Sequence, residues 1–257
     1  MTTVTRRVKE VKQPRGGYVN PRTMEVTSFD DGQPSPLDHR VENIYSSLVG
    51  MAVDYLSRLA NGSEPRDVFR VPLLGAINVG AEAFAQAGRK VDGFVAGKVN
   101  AWAVASACWL SGFDVAYRAG PMWYRPDAVT TPDKVTTDHI LTMVERSTTF
   151  FRQYGPVVAD GFTFPGGYTD LVTAGDGDFL TSDTIWDFKV SVKGPTKDHT
   201  LQLLMYWLMG LHSGAPEFAR VKNLGVFNPR LNAAYRIAVS EIHDDVVREV
   251  EKDVIGY

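Results

Sequence analysis

The sequence predicts a mixed α/β chain of the α+β kind, with a helical first half and strands gathered in the second. Three observations predict it. Residues 167–174 and 184–191 are rich in β-branched and aromatic side chains, and the Gly/Asp run at 175–178 between them supplies turn residues, so the pair reads as a hairpin. Behind it, Leu201, Leu203, Leu204, Met205, Trp207, Leu208, Met209 and Leu211 are apolar almost all the way round, which marks a helix covered on most sides. Ahead of it, apolar residues recur at helical spacing from residue 38 onward, as in Leu48, Met51, Ala52, Tyr55, Leu56 and Leu59.

In chain order, residues 1–37 read as a basic arm punctuated by Gly and Pro. Six basic residues precede Met24 against one acid, Glu10, so the arm either tracks phosphates, with Arg15 among its contacts, or packs on the outside as a solvated terminus. Residues 38–61 read as a helix stopped by Asn61-Gly62. The stretch 63–155 reads as a helical insertion within a single domain spanning 38–257, with helices at 67–87, 98–111 and 136–154. Its Trp102, Trp109, Trp123 and Tyr124 are read as packing residues. A first core strand is expected at 157–164. After the buried helix, the Ser213-Gly214-Ala215-Pro216 break leads to strands at 222–227 and 233–239 and a closing helix at 244–254.

The hairpin carries charge where a sheet normally carries none. Asp187 and Lys189 flank Phe188, so the carboxylate and the ammonium project on one face while Phe188 packs on the other. With the turn centred between Asp178 and Phe179, Asp170 lies opposite Asp187, and two facing carboxylates destabilise a sheet unless a cation neutralises them. In the helix, Gln202 and Tyr206 share a face at i, i+4 spacing and need hydrogen-bond partners, for which the acidic strand face is the nearest source.

The ordered set Gly166-Gly167-Tyr168-Thr169-Asp170, Asp187-Phe188-Lys189 and Gln202-Leu203-Leu204-Met205-Tyr206 resembles the core of the PD-(D/E)XK nuclease superfamily, in the branch holding RecB-type and phage lambda-type exonucleases. The resemblance covers residues 166–206. It implies a restriction-endonuclease-like core, a central mixed sheet flanked by helices with the helical insertion before the core strands. It further implies a metal-dependent nuclease, an exonuclease on DNA before other kinds. Asp170 and Asp187 would bind Mg2+ or Mn2+ with the backbone carbonyl of Phe188, Lys189 would orient or activate the attacking water, and Gln202 and Tyr206 would brace the site. Asp54, in Gly50-Met51-Ala52-Val53-Asp54, stands where the branch places a metal-binding His or Glu, and is either a ligand or an exposed acid on an amphipathic helix. Arg230 and Arg236 are candidates for phosphate contacts at the rim, or strand-end charges. Processivity would need a ring of copies of the chain or a helicase or defence-system partner, in a role such as DNA repair or defence.

Composition sets the outer bounds. A net charge of −3 does not advertise nucleic acid, but metal-binding carboxylates contribute to that balance and a local basic track is compatible with it. The single cysteine, Cys108, excludes an intramolecular disulfide and a cysteine-ligated iron-sulfur cluster. Without a long apolar run or a signal-like start, the chain reads as cytoplasmic, away from membranes. Two rival readings stand beside the nuclease. One is a catalytically inactive nuclease-fold module binding nucleic acid or a protein partner, which the intact Asp170, Asp187 and Lys189 oppose and the altered position at Asp54 favours. The other is a calcium loop at 176–178, which lacks the closing Glu that such loops need.

Overall fold

The structure is a computed structural model that describes residues 2–126 and 131–257. The chain divides into two compact units. The first takes the residues up to Asp30 together with Arg152–Tyr257, and the second is Asp31–Phe151. In chain order the first unit contributes helix α1 (Val4–Glu10) and strand β1 (Glu25–Ser28). The second holds α2 (Ser46–Ala60), α3 (Pro65–Val68), α4 (Arg70–Val79), α5 (Ala81–Val91), α6 (Ala101–Ser111), α7 (Asp114–Arg118) and most of α8 (Lys134–Tyr154). The first unit then resumes with β2 (Val157–Thr163), β3 (Asp176–Thr181), β4 (Thr184–Phe188), α9 (Lys197–Ser213), β5 (Asn223–Asn228), β6 (Ala233–Ala238) and α10 (Asp244–Glu249).

The sheet unit is one six-stranded mixed sheet in the order β1-β6-β5-β4-β3-β2. Every neighbouring pair is antiparallel except β4 and β5. Parallel neighbours need a crossover, and α9 is that crossover. Strand alternation then sorts the side chains. Leu180, Ile185, Leu224 and Val226 join Leu201, Leu204, Met205 and Leu208 of α9 in one buried cluster. Phe179, Phe188 and Phe227 pack at tilted angles on the opposite face, with ring centroids 4.4 and 5.1 Å apart. Burying each large apolar side chain of α9 contributes about 1.5–3 kcal/mol, so the crossover is anchored by its own sequence. Gly214, with φ 74°, ends the helix in the left-handed conformation, the stop expected from the Ser213–Pro216 break.

Two expectations about the first unit change. Residues 1–37 are not a solvated arm: Val4 and Val8 of α1, with Val19 and Met24, are buried in the α9 cluster, and β1 pairs with β6 from Glu25↔Arg236 to Ser28↔Ala233. The apolar positions lie too far apart among basic residues to announce a packed segment, yet each fills part of a core made by the other end of the chain. The hairpin is also displaced. β3 and β4 turn at Ser182-Asp183, with Phe179↔Trp186 and Leu180↔Ile185, while 175–178 enters β3 instead of turning.

The helical unit begins at Asp31, not near residue 63. Residues 38–45 are not continuous helix. The Asp38 carboxylate accepts the Arg40 N–H at 3.0 Å and closes a short turn, and Asn43 is tied to Thr136, so α2 starts at Ser46. Aromatic contacts link its elements: Tyr55 to Phe69 at 5.3 Å, Phe69 to Phe94 at 4.5 Å, and Phe113 stacked on Tyr124 at 4.7 Å. Trp109 packs edge-on against Phe113, but Trp102 is half exposed and Trp123 more so. Ion pairs are formed inside this unit. Arg146 grips Asp31 at 2.6 and 3.1 Å, which holds the Asp31 carboxyl below its ordinary pKa, and His139 pairs with Glu42 at 2.9 Å.

Candidate active site on the sheet unit

Asp187 is the most deeply placed acid of the sheet unit, 1% exposed at the end of β4. It shares its face with Ile185 and therefore looks toward α9. The ammonium of Lys189 donates to its Oδ1 at 2.8 Å, while its buried Oδ2 has no hydrogen-bond partner. A carboxylate oxygen buried without a donor costs free energy that a cation, a proton or a hydrogen-bond donor returns.

The second acid here is Asp178. The β3–β4 ladder pairs Leu180 with Ile185 and Phe179 with Trp186, and Asp178 follows just beyond it, where its Oδ2 accepts the Phe188 N–H at 2.8 Å. Asp170, expected in that place, is exposed in a bend outside the sheet. Its loop is held elsewhere: Thr169 Oγ1 donates to the Ile255 carbonyl at 2.5 Å and Tyr257 Oη to that of Gly167. Gly167 itself lies so close to the Met209 carbonyl that a Cβ would collide with it. The glycines of the Gly166-Gly167-Tyr168 run therefore seat a loop on α9 and do not open a metal-binding strand.

Helix α9 brings the remaining predicted residues to this face. Gln202 Nε2 donates to Tyr206 Oη at 2.7 Å, and Tyr206 is buried, stacked on Phe164 with centroids 5.2 Å apart. Burial, and after it the charges of Asp187, Asp178 and Asp176, push the Tyr206 pKa well above its ordinary value. The phenol therefore stays protonated and senses all three acids. A cavity of about 210 Å3 opens beside Lys189, with Gln202 and His199 of α9 and Thr5 and Lys9 of α1 in its wall. His199 Nδ1 accepts the Thr196 N–H at 3.2 Å, which closes the start of α9. Burial first, then the neighbouring Lys189, lower the His199 pKa and keep the ring neutral.

Asp187, Lys189, Gln202 and Tyr206 thus come together, and Phe188 joins them through its backbone. The other candidates belong to other elements. Asp54 belongs to α2 of the helical unit, where its charge bears on Tyr55 and Asp114. Arg230 is 2% exposed in the β5–β6 turn, and a guanidinium so enclosed is not available to a phosphate at the rim. Arg236 pairs across the strand with Glu25 at 3.3 Å. Arg15 is exposed in the loop after α1.

Sequence reasoning missed Asp178, His199 and the α1 wall. A signal for Asp178 existed: a two-residue connection at Ser182-Asp183 pairs positions summing to 365 and places Leu180, Ile185, Asp178 and Asp187 on one face. Among the described residues no group of three or more His, Cys, Asp or Glu side chains is arranged to hold a metal, and none of the helices is long and apolar enough to cross a membrane. No family model matches the chain, and neither the curated proteins nor the solved structures give a match.

Proposed function

We propose that the sheet unit is a metal-dependent nuclease that hydrolyses phosphodiester bonds in DNA, acting through Asp178, Asp187 and Lys189. One observation carries this reading: the buried Oδ2 of Asp187 has no hydrogen-bond partner among the described residues, a lysine holds its other oxygen, and a second carboxylate, Asp178, bonds the backbone N–H of the next residue, Phe188. The donor set fits a hard divalent cation, which prefers oxygen ligands. Asp187, Asp178 and the Phe188 carbonyl would hold Mg2+ or Mn2+. When bound, such an ion lowers the pKa of water and offsets charge developing on a phosphate.

The protein's own groups then have defined tasks. Asp187 holds Lys189 in place through the 2.8 Å contact, so the ammonium stands ready beside the carboxylates to donate to a water or a phosphate oxygen. Tyr206, kept neutral, fixes the amide of Gln202 at the cavity wall. Phe188 packs against Phe179 and Phe227 on the far face and so fixes the end of β4, which matters because misplacement by about 1 Å can cost about 100-fold in rate.

The test is cleavage of end-labelled linear duplex, single-stranded and covalently closed circular DNA with Mg2+, Mn2+ or EDTA, comparing wild type with Lys189→Ala. Titration of Mn2+ into the wild type and Asp187→Asn gives a second readout that needs no turnover. Metal-dependent cleavage lost in Lys189→Ala supports the reading, and sparing of the circle makes the enzyme an exonuclease. Metal-dependent DNA binding with every substrate intact would replace it with a nucleic-acid-binding module.

A further inference from the structure

We infer that the cavity beside Lys189 is an anion subsite, in which Lys9 of α1 seats a DNA phosphate next to the one being cut. This inference rests on the nuclease reading of the same face. Four observations carry it. The volume, about 210 Å3, holds a phosphate with several waters, since a water in the liquid takes up roughly 30 Å3.

Most of its wall is made of donors. Lys9 and Lys189 supply ammonium groups, Thr5 and Thr196 hydroxyls, and Gln202 an amide. The neutral His199 ring accepts at Nδ1 and so carries its proton on Nε2, adding an uncharged donor. The subsite also stands at the start of α9, a 17-residue helix whose positive end favours anions.

Lys9 is the unclaimed cation of this wall. Lys189 is committed to Asp187, whereas Lys9 makes no hydrogen bond or ion pair among the described residues. Its backbone is nonetheless fixed, because Val8 next to it is buried in the core. Its exposed ammonium, carried on a helix anchored by Val8 and matched by no acid among the described residues, is open to a ligand.

The fourth observation is adjacency. Lys189 both bonds to Asp187 and lines the cavity, so one side chain separates the subsite from the carboxylate pair. A strand with one phosphate at the carboxylates therefore has its next phosphate close at hand. One group works against anion binding: Asp198 also lines the cavity, with its Oδ1 held by Gln13 Nε2 at 2.7 Å. It tempers the affinity and gives the test a second, opposite handle.

The experiment is fluorescence anisotropy with a labelled duplex oligonucleotide in EDTA, where nothing is cut, across a range of salt. Lys9→Ala should weaken binding about 5- to 10-fold and reduce the slope of log Kd against log salt by about one contact. Lys9→Arg should restore both, and Asp198→Asn should tighten binding. With Mg2+ present, the larger part of the Lys9→Ala loss should fall on KM. If wild type cuts DNA while Lys9→Ala leaves Kd and the salt slope unchanged, the subsite is wrong and the nuclease stands. If Lys9→Ala weakens binding as stated but no protein cuts DNA, the subsite stands and the nuclease falls. If only RNA binds with this dependence on Lys9, the assignment to DNA is overturned.

Discussion

Each unit buries an aspartate, and the two are handled in different ways. Asp187 in the sheet unit is 1% exposed, and Asp114 in the helical unit is 3% exposed. Each has one oxygen without a hydrogen-bond partner. Asp114 takes a hydrogen bond from the neutral Tyr55 hydroxyl at 2.7 Å, with Arg118 3.9 Å away. Burial wins over both and pushes its pKa from 3.8 to about 6, helped by the charge of Asp54. Asp187 has an ammonium at 2.8 Å, a second carboxylate, Asp178, bonded to the N–H of the next residue, and a cavity beside its partner lysine. One buried acid is met by a neutral hydroxyl, which lets its pKa rise, and the other by an ammonium. Depth of burial alone therefore does not mark a site; the charge of the company does.

The sharpest way to break this contrast is mutation of the acids themselves. Asp187→Ala or Asp178→Ala should reduce Mg2+-dependent cleavage of end-labelled duplex DNA by about 1,000-fold or more, the scale of losing a positioned electrostatic group. Asp170→Ala should stay within about twofold, as exposed substitutions do. The reverse pattern would restore the register in which Asp170 faces Asp187. Mn2+ titration should lose a site in Asp187→Asn and keep it in Asp114→Asn.

The second effect is on stability and pH. Asp114 has a higher pKa folded than unfolded, so the native state binds the extra proton between about pH 4 and 6 and stability falls as pH rises through that window. The loss above it is about 3 kcal/mol, at 1.36 kcal/mol per tenfold change in proton affinity. Asp114→Asn should flatten the dependence of Tm on pH across this range, and an unchanged slope would show that another group sets it.

Tyr55→Phe is smaller, about 1–2 kcal/mol, because it strips a buried carboxyl of its one close donor. Thermal unfolding at pH 5 and pH 8 should place the larger share of the loss at pH 8, where the acid is charged. The smallest effect belongs to Arg236→Ala, below about 0.5 kcal/mol by denaturant titration, since its pair with Glu25 is largely in solvent. A larger loss would make the β1–β6 edge more than a solvated seam.

The legible parts of this molecule are those where local pattern and tertiary role agree. β4, α9, β5 and β6 were all readable, because unbroken apolar and β-branched runs are both their propensity and their burial. β3 was not. Its Asp176-Gly177-Asp178 start has the composition of a turn, but pairing with β2, Phe162↔Gly177 and Thr163↔Asp176, draws it into the sheet. Gly177 is there because the Phe162 ring occupies the place of a side chain. The site inherits the same error, since moving the turn moves the acid. Arg230 misled for a related reason: an arginine beside Pro229 in a turn reads as surface, and nothing nearby in sequence announces that the fold encloses it.

The pairing of β1 with β6 also sets a timetable. Glu25 and Arg236 are 211 positions apart. At synthesis rates of about 5–20 residues per second, the first strand leaves the ribosome on the order of 10 to 40 s before its partner exists. The residues of the helical unit all emerge within that interval. Throughout it β1 has no sheet partner, because it pairs with β6 alone. The one charge on the strand itself is Glu25, and its counter-charge, Arg236, arrives only with that partner, so pairing the edge and neutralising it are a single late event.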